Sequence, residues 1–250
     1  MYAKEFDEDR DECMLQALEE GVYFTALPNI DVDSIERVQE LMRAYPDQTI
    51  GMMGLHPSSV KEDYKLQLTT IKMELDTDRY HAVGETGIDL YWDKTFFEEQ
   101  VDSFKTQIQW AKEKSLPIVI HARDSFQEIF DVIDSEYDAD LTGVFHCFTG
   151  NESQAQKALS YENFYLGLGG VLTFKNSGLD KVIARVDPGR LVLETDAPYL
   201  APHPFRGKRN QTAYTKLIAE KLAEIFEVSL EEIAEITTAN AKNLFKLDGI

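Results

Sequence analysis

The chain has 250 residues, 43% of them apolar, and a formal net charge of −20. That length supports one large core or two smaller ones, and that composition excludes a disordered chain. The surplus of acid excludes broad electrostatic capture of nucleic acid, although a bound metal ion supplies the local positive charge that a phosphate needs.

No stretch approaches the roughly 20 apolar residues that span a bilayer, and no basic start leads into an apolar signal region. The two cysteines, Cys13 and Cys147, have no disulfide-framework spacing. A reducing cytoplasm is the simplest compartment for them.

The opening MYAKEFDEDRDE leads directly into a helix over Asp7–Glu20, with Met14, Leu15 and Leu18 on one side and Gly21 as its stop. A rhythm then repeats: a short apolar run, a polar residue, an amphipathic helix. The runs are Gly21–Ile30, Thr49–Pro57, His81–Asp89, Leu116–Asp124, Thr142–Gly150, Phe164–Val171 and Gly189–Leu200. They show little alternation of period two, which marks parallel strands buried on both faces.

Three of the helices are clear. Ser34–Tyr45 has Asp31 or Asp33 as its N-cap, Phe96–Lys114 follows, and Ser125–Tyr137 is capped by Asp124. Strand–helix alternation predicts βαβ units on a parallel sheet. An open doubly wound sheet and a closed (β/α)8 TIM barrel both fit. The length and the gathering of polar residues at strand carboxyl ends favour the barrel, as one domain over residues 1–250. The runs number seven, so an eighth strand is expected ahead of the first helix.

Glu85, His121, His146 and Asp196 all close strands. Each alone reads as a cap or a hydrogen-bonded structural residue. In a barrel all four converge on one mouth, where imidazole and carboxylate together suit a divalent metal. Glu85 has the chemistry to bridge two ions, and Asp196 to bind one and accept a proton from its water; these two are the candidate catalytic residues.

The remaining histidines are weaker. His81 opens its strand, His203 lies in a loop, and His56, followed by Pro57, is read as a substrate contact; none of the three is favoured as a metal ligand, and His56 is the best placed of them. The loop APHPFRGKRN (Ala201–Asn210) concentrates Arg206, Lys208 and Arg209 in an acidic chain and follows Asp196 closely. Arg206, Lys208 and Asn210 are candidate substrate-binding residues, with Arg123 beside them. Glu194 shares a face with Asp196 if the strand stays regular, and Cys147 is expected in the core.

GLHP, GETGIDLYWD, IHARDS, GVFHCFTG, LETDAPYLAP and PFRGKRN occur in order over nearly the whole chain. Together they resemble the TatD family of metal-dependent deoxyribonucleases. The resemblance implies an amidohydrolase-like barrel with two divalent cations (Mg, Mn or Zn). It implies hydrolysis of DNA phosphodiesters, often from 3′ to 5′ on single strands. It assigns Glu85 as the bridging ligand, His121 and His146 to one metal, and Asp196 to the other.

Two features depart from the family. RNQT stands where many relatives have an acid and a proline after the Asn. The family opens with a strand carrying an H-x-H pair, so the resemblance implies that strand and two further ligands ahead of Met1, and a native product longer than this chain. DNA, single-stranded or at 3′ ends, is the expected partner, with no membrane and no obligate protein partner. The alternatives are a hydrolase of another ester, such as aminoacyl-tRNA, and a non-catalytic metal-binding barrel.

Overall fold

The rhythm of apolar run and amphipathic helix becomes strand and helix in the computed structural model, which describes residues 1–247. In chain order the elements are α1 (Arg10–Glu19), β1 (Thr25–Pro28), α2 (Ile35–Ala44), β2 (Thr49–Met53), α3 (Tyr64–Leu75), β3 (Tyr80–Asp89), α4 (Phe97–Lys114) and β4 (Ile118–Arg123). They continue with α5 (Phe126–Glu136), β5 (Gly143–Phe145), α6 (Glu152–Ser160), β6 (Phe164–Leu168), α7 (Leu179–Ile183), β7 (Leu191–Leu193), α8 (Thr215–Phe226) and α9 (Leu230–Phe245). Each apolar run holds one strand. The first helix starts at Arg10, later than its pattern suggests, and follows a separate 3-10 turn at Lys4–Phe6.

The chain forms two compact units. One comprises Ala26–His146 and Ser160–Phe164; the other comprises Met1–Thr25, Cys147–Leu159 and the chain from Tyr165 onward.

In the first unit the strands lie in the order β1-β2-β3-β4-β5. β2–β3, β3–β4 and β4–β5 pair in parallel. Burial follows the unalternating sequence: all of β2 is buried, and in β3 His81 alone is not. The β3–β4 register sets Gly87 against His121 and Asp89 against Arg123, which brings four chemically important positions to neighbouring strand ends.

Two glycines make this approach possible. A Cβ on Gly84 would lie 2.6 Å from Val119 Cβ, and one on Gly87 would lie 2.1 Å from the His121 carbonyl oxygen. Gly87 also has φ +137°, a backbone that side chains rarely adopt.

An aromatic cluster packs beneath β5. Phe130 of α5 lies 5.8 Å from Phe145, which lies 5.8 Å from Phe164; Tyr161 is 5.4 Å from Phe164. Such pairs contribute about 0.5–1.5 kcal/mol each beyond the area they bury.

The second unit pairs β6 with β7 in parallel, Leu166 opposite Leu191 and Leu168 opposite Leu193. Asn240 of α9 donates from Nδ2 to the Pro188 and Leu191 carbonyls at 2.8 Å, tying that helix to the start of β7.

The capping expectations need correction. Ser34 is the residue that precedes α2, and Asp31 supports it by accepting its N–H at 2.9 Å. Asp124 is not the cap of α5. It takes a left-handed turn (φ 53°), and Ser125 occupies the cap position with its hydroxyl donated to the Ile88 carbonyl at 2.5 Å.

Candidate metal centre

Four side chains from four segments of the first unit meet around one oxygen. Glu85, on β3, places Oε1 2.9 Å from His121 Nδ1, 3.5 Å from His56 Nε2 and 3.5 Å from His146 Nε2. His56 Nε2 and His121 Nδ1 are 3.2 Å apart. Ligand atoms of His56, Glu85 and His121 lie within 4.8 Å of one another.

Local structure aims each group. Glu85 is buried, and its N–H donates to the Asn29 carbonyl at 3.1 Å. His56 follows β2. Its N–H donates to the Ile30 carbonyl at 2.9 Å, and its Nδ1 accepts the Ser58 N–H at 3.1 Å, leaving Nε2 toward Glu85. His146 closes β5 with its N–H on the Ile120 carbonyl at 2.9 Å. His121 is gripped from behind, its Nε2 lying 2.9 Å from Asp89 Oδ2, so its Nδ1 is the nitrogen offered to Glu85. A carboxylate behind a histidine in this way fixes the ring and raises its basicity as a ligand.

The charges reinforce one another. Burial works against ionised Glu85, yet the charges of His146 and His56 and hydrogen bonds from His121 and His56 hold its carboxyl well below the usual range. Burial likewise disfavours charged His121, but the Asp89 and Glu85 carboxylates outweigh it and raise its pKa to about 9. Asp89 is lowered against its own burial, first by the His121 hydrogen bond and then by the Tyr91 N–H. The donor set is therefore preformed, anionic at its centre, and of the mixed imidazole and carboxylate kind that divalent cations take.

Beneath this centre α4 turns a polar stripe inward. Gln107 Oε1 accepts the Leu55 N–H at 2.8 Å, while its Nε2 reaches the Leu55 carbonyl at 3.1 Å and the Thr86 hydroxyl at 2.7 Å. Gln100, two turns earlier, accepts the Asp89 N–H at 2.8 Å. Asn29 Nδ2 donates to the Asp31 and Gly54 carbonyls, both at 2.9 Å. None of these residues stands out in the sequence. Asp89 had one available signal: with Glu85 and Gly87 it shares the face that every second strand residue shares.

The second unit holds Asp196 and the candidates of the basic loop. Asp196 lies beyond β7 in a left-handed conformation (φ 56°), and its carbonyl accepts the Tyr199 N–H at 2.8 Å. The expectation that Glu194 shares its strand face is corrected, because β7 ends at Leu193; Glu194 Oε1 accepts the Cys147 N–H at 2.8 Å. Cys147 is not core. It is half-buried with φ 45°, in a turn rather than on a strand.

In the basic loop the Arg206 guanidinium lies 4.4 Å from the Phe174 ring centre, and Lys208 lies 5.9 Å from that of Phe205. Arg209 is committed to Asp9, with contacts of 2.8 and 2.5 Å. Asn210 is fully buried and donates to the Thr195 and Tyr199 carbonyls at 2.6 and 2.7 Å, which spends it on the loop's own backbone.

Parallel strands each followed by a helix, with imidazoles and a carboxylate gathered at strand carboxyl ends, define a TIM-barrel-like metal-dependent hydrolase. The chain belongs to the TatD-related DNase family, whose sequence model matches residues 1–246. It is 39% identical over 247 residues to the metal-dependent hydrolase YabD of Bacillus subtilis, covering 98% of this chain and 96% of that one. It is 27% identical over 251 residues to the 3′-5′ ssDNA/RNA exonuclease TatD of Pectobacterium carotovorum, covering 98% and 96%. Among solved structures, the TatD homologue YjjV of Escherichia coli superposes with a TM-score of 0.90 at 28% identity, covering 98% of this chain and 94% of that one.

Proposed function

We propose that this hydrolase cleaves phosphodiester bonds of DNA, working from the 3′ ends of single strands. The observation that carries the reading is the buried Glu85 oxygen within 3.5 Å of imidazole nitrogens from His56, His121 and His146. Glu85, His121 and His146 would hold a divalent cation, and His56 Nε2 is positioned to join them. A cation bound there supplies Lewis acidity and a water acidic enough to give hydroxide near neutral pH.

The chain's own groups do the rest. The neighbouring imidazoles hold the Glu85 carboxyl well below the usual range, which favours its ionised form. Asp89 keeps the His121 ring turned so that Nδ1 faces the centre. For Asp196 as a further ligand and proton acceptor, the support is the LETDAPYL motif. Arg123, Arg206 and Lys208 are the candidate partners for the phosphates of the strand. A cytoplasmic setting agrees with Cys13 and Cys147 standing outside any disulfide. No helix among the described residues is long and apolar enough to cross a membrane.

The test is digestion of a 5′-labelled single-stranded oligodeoxynucleotide, with and without chelator, by the wild type and by Glu85→Gln. Stepwise shortening from the 3′ end, lost on chelation and reduced at least about a hundredfold in the variant, is expected, since the substitution removes the shared anionic ligand. Chelator-sensitive activity that survives unchanged in Glu85→Gln would exclude this centre. Wild-type protein that leaves DNA intact but releases an aminoacyl group from tRNA would move the substrate to another ester.

A further inference from the structure

Just past the end of β3 the chain holds two large aromatic rings in solvent. Trp92 is 74% exposed and Tyr91 51%. Their rings meet edge to face, 4.7 Å between centres at 89°. The Arg123 guanidinium lies 3.9 Å from the Tyr91 ring centre and 5.3 Å from that of Trp92. Arg123 is itself exposed, ends β4, and stands two residues after His121.

This cluster is anchored to the metal centre. The Leu90 N–H donates to the Arg123 carbonyl at 2.9 Å, and the Tyr91 N–H donates to Asp89 Oδ1 at 3.0 Å. The other oxygen of that carboxylate faces His121 Nε2 at 2.9 Å. One side chain therefore fixes both the ring of a candidate ligand and the backbone that carries the aromatic pair.

Two exposed rings capped by a guanidinium have a particular ligand chemistry. Tryptophan and tyrosine faces stack on nucleobases without regard to sequence. A guanidinium stacks on π-systems and also donates to phosphate oxygens. In a chain of net charge −20, a cation held here is a local attraction for an anionic strand rather than part of a general one.

We infer that Tyr91, Trp92 and Arg123 form a stacking platform for one nucleobase of a single-stranded nucleic acid, with Arg123 also engaging the adjoining phosphate. The inference rests on the nuclease reading of the same centre and adds how the strand is held beside it.

The chain contains two tryptophans, and Trp110 is buried, so in Trp110→Phe the emission reports Trp92. This variant is titrated in chelator with oligodeoxythymidylate and with an abasic oligomer of equal length. If it does not fold, the difference between wild type and Trp92→Phe gives the same signal. Saturable quenching by the thymidylate, with affinity about tenfold above the abasic oligomer, is expected from one stacked base. Trp92→Ala should raise KM for single-stranded DNA about tenfold, more than it lowers kcat, and Trp92→Phe should restore most of that loss.

Equal affinity for the two oligomers, thymidylate bound by anisotropy without quenching, or a wild-type KM in Trp92→Ala would each overturn the platform. Quenching without any cleavage keeps the platform and removes the nuclease reading. Cleavage with Trp92 unaffected does the reverse, and an oligomer that is neither bound nor cut removes both.

Discussion

Asp89 decides which nitrogen of His121 is offered to a metal. Its Oδ2 holds Nε2 at 2.9 Å, and that contact, with the one from Glu85, raises the His121 pKa to about 9 despite burial. Below that pH the metal-free ring carries two protons, so a cation must displace one to reach Nδ1. Affinity for Mn or Zn should therefore rise with pH, by about tenfold per unit for one proton, and level off near pH 9. Calorimetry in buffers of different ionisation heat should show that proton released.

Replacing Asp89 by Asn withdraws the charge that favours the imidazolium. The plateau should then begin at lower pH, while the plateau affinity falls about 10–100-fold through the loosened ring. Affinity that is flat between about pH 6 and 9 in the wild type would contradict the assignment.

At the scale of elements, α4 carries more of the site than its sequence suggests. Gln107 satisfies both the N–H and the carbonyl of Leu55, the residue before His56. Gln107→Leu would leave these buried groups unpaired, and a loss of about 2–3 kcal/mol is expected, read as a lower urea midpoint. Metal affinity should fall with it, because the His56 segment loses its support.

This stripe is also less legible in the sequence than the strands are. The strands were legible because burial on both faces leaves an unbroken apolar run, and Glu85, His121 and His146 because they interrupt such runs. Gln100 and Gln107 were not, because polar residues at helical spacing read as a solvent face. Their burial is set by the backbone ends they cap. Glu194 and Cys147 depart from their expected faces for a related reason. β7 and β5 stop at Leu193 and Phe145, and residues beyond a strand's end no longer alternate between its faces. His56 was legible as a strand-end residue, but its closeness to Glu85 depends on the Ile30 contact, which joins segments separated in sequence.

For the molecule as a whole, the charge of −20 constrains how a polyanion is held. Arg209 is paired with Asp9, which withdraws one of the basic loop's cations from phosphate. Binding of single-stranded DNA should accordingly have a shallow salt dependence. With about two phosphate contacts, log Kd against log salt has a slope near 1.4 in magnitude. Adding Mn should tighten binding more than lowering the monovalent salt does, because a bound divalent ion offsets repulsion where the strand must pass. A slope steeper than about 4 in anisotropy titrations would require a basic surface that this composition does not supply.

The two glutamines of α4 act together as a gauge block. Gln100 grips the end of β3 at Asp89, Gln107 grips the segment after β2 at Leu55, and seven residues of helix separate them by about 10 Å. That spacing is rigid, whereas the turn that carries Tyr91 and Trp92 lies outside it. Substrate preference is thus free to drift by lengthening or rewriting the turn at residues 91–96 while the spacing of the ligand-bearing segments stays constant. A single residue inserted between Gln100 and Gln107 would rotate one grip by about 100° away from the other and dismantle the centre from beneath.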